Sequence, residues 1–137
     1  MVLIVAEIPS REELVELYAS VGWSAYTKDP GALVRAVDNS TYVACLRDDG
    51  RLIGIVRGMS DDVSVFYLQD LIVHPDHEGS GHGRELLDHI VGRFAHVRQK
   101  VLLTDDEDRQ HRLYRSAGYR DVAEVDSLHA FVKFEKP

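Results

Sequence analysis

The stretch Gln69-Asp-Leu-Ile-Val-His-Pro-Asp-His-Glu-Gly-Ser-Gly-His-Gly-Arg-Glu-Leu-Leu87 decides the fold of this chain. An apolar run typical of a strand ends at His74-Pro75, and a loop with three glycines follows. Glycines let the backbone approach a ligand without a Cβ in the way. Beyond the loop, apolar residues recur at helical spacing, at Leu86, Leu87, Ile90, Val91 and Phe94. The N–H groups of that first helical turn therefore lie beside the glycines, where they favour a phosphate.

The glycine loop matches neither of the two best-known nucleotide-binding patterns. Its spacing, Gly79-x-Gly81-x-Gly83, is followed by Arg84 where the dinucleotide fingerprint requires a third glycine, and no Gly-Lys-Ser/Thr sequence occurs. A dinucleotide-binding module would also open with its strand, glycine turn and helix, whereas this loop lies past the midpoint. The loop alone leaves two interpretations open, an anion cradle and an ordinary helix-capping turn.

The same residues resemble motif A of the GNAT family of N-acetyltransferases, in which a strand written Leu-x-Val-x-Pro precedes Gln/Arg-x-x-Gly-x-Gly/Ala. Here the strand reads Leu71-Ile-Val73-His-Pro75 and the loop reads Glu78-Gly-Ser-Gly81-His-Gly83, with Glu78 in place of glutamine or arginine. Downstream, Leu113-Tyr114-Arg-Ser-Ala-Gly118-Tyr119 is similar to motif B of the family, Phe-Tyr-x-x-x-Gly-Phe. Two motifs in the family's order and separation extend the resemblance over nearly the whole chain.

The resemblance implies a single α/β (α+β) domain over residues 1–137. The expected sheet is mixed and mostly antiparallel, flanked by about four helices, with a splayed pair of central strands. Acetyl-CoA is the implied co-substrate, and its pantetheine arm would run along the backbone of Leu71, Ile72 and Val73, whose N–H groups polarise the thioester carbonyl. Because a carboxylate repels a pyrophosphate, we expect Glu78 to point away. The implied pyrophosphate site comprises Glu78, Gly79, Ser80, Gly81, His82, Gly83 and Arg84.

Acetyl transfer to an amine needs a proton donor for the departing thiolate. In the family, the tyrosine that matches Tyr114 is this general acid. A phenol with an ordinary pKa of about 10 can protonate a thiolate whose conjugate acid has a pKa of about 8.5. The alternative is a tyrosine that only packs its helix against the sheet.

The group that accepts the amine's proton is left open by the sequence. Simple alternation places Asp70 on the strand face of Phe66, Leu68 and Ile72, and a carboxylate on an apolar face needs either a partner or a role. The sequence leaves two roles open for Asp70. It either takes part in catalysis or amine binding, or it forms a structural ion pair. His74 or water is the other candidate base, since histidine is the side chain most often used to move protons near neutral pH.

The rest of the chain predicts further strands and helices around this centre. Ser10-Arg-Glu-Glu13 has the spacing of a capping box, and Asp29-Pro30 is typical of a second helix start. Between them, Trp23 and Tyr26 lie in an aromatic loop, whose rings either bind the amine substrate or fill a gap beneath its pocket. Strands are predicted at 2–8, 41–47, 51–59, 63–74, 100–104, 119–125 and 128–134.

Composition limits the partners. A formal charge of −7 and an isoelectric point of about 5.4 disfavour nucleic acid and anionic membranes and suit a cationic substrate. The single cysteine, Cys45, provides no disulfide framework and favours a reducing compartment. The apolar start is too short for a membrane span and lacks the features of a signal peptide. We therefore expect a cytoplasmic protein.

Histidines are frequent enough to raise the question of a metal site. His82, His89 and His96 recur every seven residues along one helix face, which spaces them too widely for one ion. No metal is expected.

The sequence as a whole predicts an acetyl-CoA-dependent N-acetyltransferase that acts on a primary amine of a small molecule. A non-catalytic coenzyme A-binding regulator that acts through a protein partner is the alternative. The oligomeric state is left open, a homodimer included. One further segment resembles small bacterial members and plastid-type arylalkylamine acetyltransferases, at Val21-Gly-Trp, Asp29-Pro30, Leu33, Ala36 and Asn39-Ser40.

Overall fold

The computed structural model describes residues 1–135, which divide into two compact units with the boundary after Leu103. The first unit contains five strands and four helices in the described residues. In chain order they are β1 (Val2–Val5), α1 (Arg11–Ser20), α2 (Ser24–Thr27), α3 (Pro30–Asp38), β2 (Tyr42–Asp48), β3 (Arg51–Ser60), β4 (Val65–Val73), α4 (His82–Arg93) and β5 (Gln99–Leu102). A single 3₁₀ turn, Pro75–His77, lies between β4 and the glycine loop.

The helix starts follow the predicted capping chemistry. The Ser10 side chain accepts from the backbone N–H of Glu13 while the Glu13 carboxylate accepts from the backbone N–H of Ser10, which completes a capping box at α1. At α3, the Asp29 carboxylate accepts from the N–H of Ala32, and Pro30 fills the first helical position. Both caps were predicted from the sequence and are confirmed.

The five strands form one sheet in the order β1-β2-β3-β4-β5. All neighbours are antiparallel except the last pair, in which β4 and β5 run parallel. That pairing runs from Val65↔Gln99 to Leu68↔Leu102, although β4 continues to Val73. The end of β4 therefore pairs with β3 alone among the described strands, which gives the splayed pair that the resemblance implied.

A β-bulge interrupts the pairing of β3 with β4. Arg57 is opposite Asp70, but the next residue of β3, Gly58, is opposite Leu68, so Gln69 is an extra residue in β4. Because side chains alternate along a strand, one extra residue moves everything beyond it to the other face of the sheet.

The bulge overturns the predicted face of Asp70. Phe66 stacks on Phe94, which follows α4, at 4.6 Å between ring centroids. Asp70 instead accepts a hydrogen bond from Tyr18 of α1, and Ile72 packs in the core against α1 and α3. Simple alternation across Gln69 was therefore wrong, and Asp70 does not share the face of Phe66.

Each face of the sheet has its own apolar core. On the α4 side, Leu86, Leu87 and Ile90 are buried. The other face packs against α1 and α3 and buries Leu14, Leu17, Tyr18, Leu33, Val37, Val43, Cys45, Leu52, Ile55 and Ile72. No helix within residues 1–135 is long and apolar enough to span a membrane.

The second unit begins at Thr104 and contains α5 (Asp108–Ser116) and a 3₁₀ turn at Val122–Glu124. The strands predicted at 119–125 and 128–134 are absent from the described residues, so these two predictions were wrong. The Asp121 side chain accepts from the N–H of Ala123 and starts the 3₁₀ turn, and Ser127 adopts a left-handed φ of 62°. Strand-forming residues alone do not make a strand, because a strand also needs a neighbouring edge to satisfy its backbone.

Candidate functional site

The glycine loop ends at the start of α4. Gly79 and Gly81 both have a φ of 82°, a left-handed conformation that favours glycine, and a Cβ built on either would meet open space. Gly81 is the N-cap of α4 and has no side chain with which to cap it. The first-turn N–H groups of α4 therefore lie next to an unobstructed backbone, which is the geometry that an anionic group requires.

Charged side chains flank this helix start. Glu78 is exposed and extended in backbone conformation, with φ −70° and ψ 155°. His82 Nδ1 lies 3.1 Å from Glu85 Oε1, and Arg84 Nε donates to Asp88 Oδ1 at 2.8 Å. Arg84 thus brings a permanent positive charge to the first turn, while its ion pair with Asp88 stays on the helix surface.

The backbone of β4 is open on one side beyond its pairing with β5. The N–H of His74 donates to the carbonyl of Ile53, and in an antiparallel ladder every second residue turns its polar groups to the same neighbour. Ile72 therefore faces β3, whereas Leu71 and Val73 turn their N–H and C=O groups to the opposite side. Of the three predicted pantetheine contacts, only these two present backbone groups where β4 has parted from β5.

Asp70 lies at the centre of a buried polar network. Its carboxylate is 2% exposed. Oδ2 accepts hydrogen bonds from Arg57 Nε at 2.6 Å and from the Tyr18 hydroxyl at 2.8 Å, and Oδ1 accepts from the Tyr26 hydroxyl at 3.1 Å. Both oxygens are thus committed, which favours the structural ion pair that the sequence left as one of two roles for Asp70.

The partners of Asp70 all keep their protons at neutral pH. Burial raises the pKa of Tyr18 well above its ordinary value, and the Asp70 carboxylate raises it further. The same two causes raise the pKa of Tyr26. Burial works to lower the pKa of Arg57, but the adjacent carboxylate outweighs it and the pKa is raised. The network is therefore a carboxylate held by one guanidinium and two neutral phenols.

Tyr26 belongs to a short helix rather than to the predicted loop, whereas Trp23 lies just outside that helix. Trp23 precedes α2, Tyr26 lies within it, and their rings stack at 6.0 Å between centroids. The Tyr26 ring also meets Tyr18 edge-on at 5.0 Å. Both residues are half-buried against the α1 and α3 core, so they fill a gap and keep part of their surface in solvent. The Tyr26 hydroxyl also accepts from Gln69 Nε2 at 3.1 Å, which ties α2 to the bulge.

His74, the other candidate base, is half-buried at the end of β4. Its Nδ1 accepts from the backbone N–H of Asp76 at 3.2 Å, so the neutral ring carries its proton on Nε2. It lines a cavity of about 210 Å³ together with Glu13, Glu16, Leu17, Arg51 and Leu52.

Tyr114 lies in α5 of the second unit and is 7% exposed. Its ring meets that of Tyr119 edge-on at 6.1 Å between centroids. The Tyr119 hydroxyl is buried with no hydrogen-bond partner within residues 1–135, and burial raises its pKa to about 12. Tyr119 is thus a natural comparison for Tyr114, since the two phenols are neighbours on one small unit.

The three histidines of the predicted stripe each lie against another side chain, which for His82 is Glu85. His89 Nε2 is 2.8 Å from the Tyr42 hydroxyl, and His96 Nε2 is 2.7 Å from Asp62 Oδ1. Throughout residues 1–135, no three side chains among histidine, cysteine, aspartate and glutamate are arranged to hold an ion.

The sequence did not reveal Tyr18 and Arg57 as partners of Asp70. A signal was present for Arg57, because the runs Leu52-Ile-Gly-Ile-Val-Arg57-Gly and Phe66-Tyr-Leu-Gln-Asp70-Leu-Ile-Val each carry one charge among apolar residues. Two opposite charges isolated in adjacent buried strands are expected to pair.

Comparison with known proteins identifies the family to which this chain belongs. The profile of the acetyltransferase (GNAT) family matches residues 8–119. A Gibberella zeae protein named as an acetyltransferase is 33% identical over 79 residues, 56% of this chain and 44% of that protein. A Prochlorococcus marinus protein named as an uncharacterized N-acetyltransferase is 35% identical over 83 residues, 58% of this chain and 45% of that protein. The chain thus spans less than half the length of either relative.

Solved structures extend the similarity over the whole fold. A GNAT family acetyltransferase from Streptococcus pneumoniae superposes with a TM-score of 0.84 at 25% identity, covering 99% of this chain and all of that one. Three observations indicate the same family: the glycine turn at the start of α4, the separation of β4 from β5, and the matched profile. This chain belongs to the acetyltransferase (GNAT) family.

Proposed function

We propose that this protein transfers an acetyl group from acetyl-CoA directly to the primary amine of a small molecule. The observation that carries the proposal is the junction of two open backbone surfaces, the glycine turn at the start of α4 and the unpaired edge of β4. The first suits a pyrophosphate and the second suits an extended chain of amides. Coenzyme A contains both groups in that order.

The residues divide the binding task between them. The loop from Glu78 to Arg84 holds the pyrophosphate through first-turn N–H groups, with Arg84 adding charge and Glu78 directed away. Leu71 and Val73 hydrogen-bond the pantetheine amides with their backbone groups. An N–H on the same edge polarises the thioester carbonyl and stabilises the negative charge that develops there.

Acetyl-CoA supplies the activated acyl group, and the chain supplies the proton donor. The amine nitrogen attacks the carbonyl carbon, the carbon–sulfur bond breaks, and the thiolate leaves. Tyr114 protonates that thiolate, as the resemblance to the family implies.

Water is assigned as the acceptor of the proton that the amine loses, because the candidate atoms of both side chains are already engaged in hydrogen bonds within the protein. Both oxygens of Asp70 already accept hydrogen bonds, and the Nδ1 of His74 accepts from Asp76. Asp70 is then a positioning residue that holds Tyr26 beside the amine.

The acceptor is a small cationic amine bound beside the half-exposed rings of Trp23 and Tyr26. Aromatic faces attract cations, and the formal charge of −7 favours a positively charged substrate over an anionic one. A cytoplasmic location is part of the proposal, in keeping with the buried free thiol of Cys45.

The experiment is thiol release from acetyl-CoA over a panel of polyamines, aryl amines, amino sugars and amino acids. With the best acceptor, Tyr114→Phe should lower kcat by roughly 10²–10⁴-fold with little change in acetyl-CoA affinity. Tyr119→Phe is the matched control, because it removes one hydroxyl from the adjacent ring, and its kcat should stay close to wild type.

Full activity in Tyr114→Phe would contradict the general-acid assignment. A wild-type protein that binds acetyl-CoA but releases no thiol with any amine would instead support a regulator that acts through a protein partner.

A further inference from the structure

The cavity of about 210 Å³ beside His74 has no role in the proposed acetyl transfer. Its lining comes from α1, from the start of β3 and from the residue that follows β4, all within the first unit. His74 is four positions beyond Asp70, which corresponds to about 13 Å along a strand. The cavity is therefore separate from the place where Tyr26 hydrogen-bonds Asp70.

The cavity is small and has an apolar inner side. Leu17 and Leu52 line it and are 1% and 7% exposed. Liquid water occupies about 30 Å³ per molecule, so the cavity has the volume of about seven water molecules. Drug-sized ligands need roughly 300–1,000 Å³. The cavity therefore suits a small metabolite with a short aliphatic part and is too small for a nucleotide.

Two opposite charges lie side by side at the opening of the cavity. Arg51 Nη2 is 3.6 Å from Glu16 Oε1, and both side chains are exposed. A guanidinium has five N–H donors and a carboxylate accepts through two oxygens, so each keeps capacity for a ligand. The third charged group of the lining, Glu13, is already neutralised, because its two oxygens accept from Arg47 at 2.6 and 3.2 Å. One positive and one negative group therefore remain for a ligand.

His74 adds a hydrogen-bond donor. Its Nδ1 accepts from the backbone N–H of Asp76, so the proton of the neutral ring is on Nε2. Within residues 1–135, Nε2 has no hydrogen-bond partner. Because the ring is half-buried and lines the cavity, the Nε2–H is the group that remains for a ligand.

We propose that this cavity is a second binding site, which takes a free α-amino acid with a short aliphatic side chain, such as valine. The carboxylate of the amino acid binds Arg51 and the Nε2–H of His74, and its ammonium binds Glu16. The aliphatic side chain packs on the two buried leucines. An α-amino acid carries its two charges on neighbouring groups, which matches the adjacent Arg51 and Glu16, whereas a simple anion or cation would use only one of them. The inference is independent of the proposed acetyl transfer.

Titration of the full chain with L-valine, without acetyl-CoA, tests the ligand class. We expect saturable shifts of the ring nitrogen signals of His74 by NMR, with a dissociation constant on the order of 1 mM for a ligand of so few atoms. Valinamide lacks the carboxylate and isovalerate lacks the amine, so each should bind at least about tenfold more weakly. His89 of α4, on the other face of the sheet, is the control, and its signals should not shift.

Charge substitutions assign the two ends of the ligand. Glu16→Gln should weaken valine binding at least about tenfold without weakening isovalerate, which has no ammonium. Arg51→Gln should weaken valine equally without weakening valinamide. Glu12→Gln is the matched control, since Glu12 is exposed on the same helix outside the cavity, and it should leave valine binding unchanged.

Three results would overturn the proposal. The first is a wild type in which valine causes no saturable shift of His74. The second is equal binding of valine, valinamide and isovalerate. The third is wild-type valine affinity in folded Glu16→Gln and Arg51→Gln.

Discussion

The two faces of the central sheet are stabilised in different ways. On the α4 side, the fully buried side chains are apolar, as in the stack of Phe66 on Phe94. On the α1 and α3 side, an apolar core of similar kind surrounds the ion pair of Arg57 with Asp70. The bulge at Gln69 marks the change between the two faces. Because of this extra residue, Leu68 and Asp70 point to opposite faces of the sheet although they are only two positions apart.

This difference explains how β4 can be both a core strand and the edge that we propose binds pantetheine. Apolar packing is not directional, so it fixes the position of a strand less sharply than hydrogen bonds do. The carboxylate of Asp70, held by three donors, fixes the strand immediately before Leu71. The open backbone proposed to bind pantetheine is thereby held in place on the side where β5 is absent.

The largest expected effect comes from breaking the ion pair. Asp70→Asn leaves the Arg57 guanidinium buried without a countercharge, which should lower the free energy of unfolding by about 3–5 kcal/mol. Denaturant titration of wild type and variant measures this difference in the free energy of unfolding. Glu16→Gln is the control, because Glu16 pairs with Arg51 at 3.6 Å in solvent and should cost no more than about 1 kcal/mol.

Turnover of the folded Asp70→Asn variant separates the two roles of Asp70. A structural role predicts a stability loss with an unchanged pH profile of kcat per folded molecule. A stability loss below about 1 kcal/mol together with an altered pH profile would show that Asp70 is the base and that the comparison of the two faces is wrong.

The α4 side should be most sensitive to added volume. A Cβ at Gly58 would lie 2.5 Å from the Phe66 ring and 2.8 Å from the carbonyl oxygen of Tyr67. Gly58→Ala should therefore lower the free energy of unfolding by about 1–3 kcal/mol. Gly92→Ala is the opposite case, because Gly92 lies in α4 with open space around it, and should raise stability by up to about 1 kcal/mol. Equal effects of the two substitutions in thermal unfolding would contradict this account of the packing.

A smaller effect is expected at the rim of the α1 side. Hydrogen bonds from Arg47, and then from the Ser10 backbone, lower the pKa of Glu13 from 4.5 to about 2. The contribution of the ionised Glu13 carboxylate to stability is therefore complete above pH 4.5 and is lost as pH falls through about 2. Glu13→Gln keeps the capping box and removes only the charge, so at pH 7 it should cost about 1–2 kcal/mol after allowance for solvent screening.

The pH dependence of the unfolding free energy tests whether the charge of Glu13 is responsible for this stabilisation. The unfolding free energies of wild type and Glu13→Gln should converge near pH 2. A difference that stays constant from pH 7 to pH 2 would show that the charge of Glu13 contributes nothing.

The sequence predicted those parts of the fold whose cause is local. The caps at Ser10 and Asp29 need only residues within three positions, and both formed as expected. The glycine loop and its helix were also recognisable, because glycine spacing and helical periodicity are local properties.

The predictions that were wrong or left open concern features that depend on residues far away in the sequence. Nothing within β4 reveals that Gln69 is an extra residue, since the bulge exists only in the register with β3. The residues at 128–134 have the composition of a strand, but a strand also requires an edge. The role of Asp70 likewise depends on Arg57 and Tyr18, which lie 13 and 52 positions away.

The central claim is that acetyl-CoA binds at the glycine turn before α4, and titration calorimetry tests it most directly. Gly81→Glu places a side chain and a negative charge at the proposed pyrophosphate site. Gly50→Glu places the same residue at a similar positive φ in the β2–β3 turn, also with open space around it, and so controls for backbone strain and charge. We predict that wild type and Gly50→Glu bind acetyl-CoA equally and that folded Gly81→Glu shows no binding. Wild-type affinity in Gly81→Glu would contradict the account.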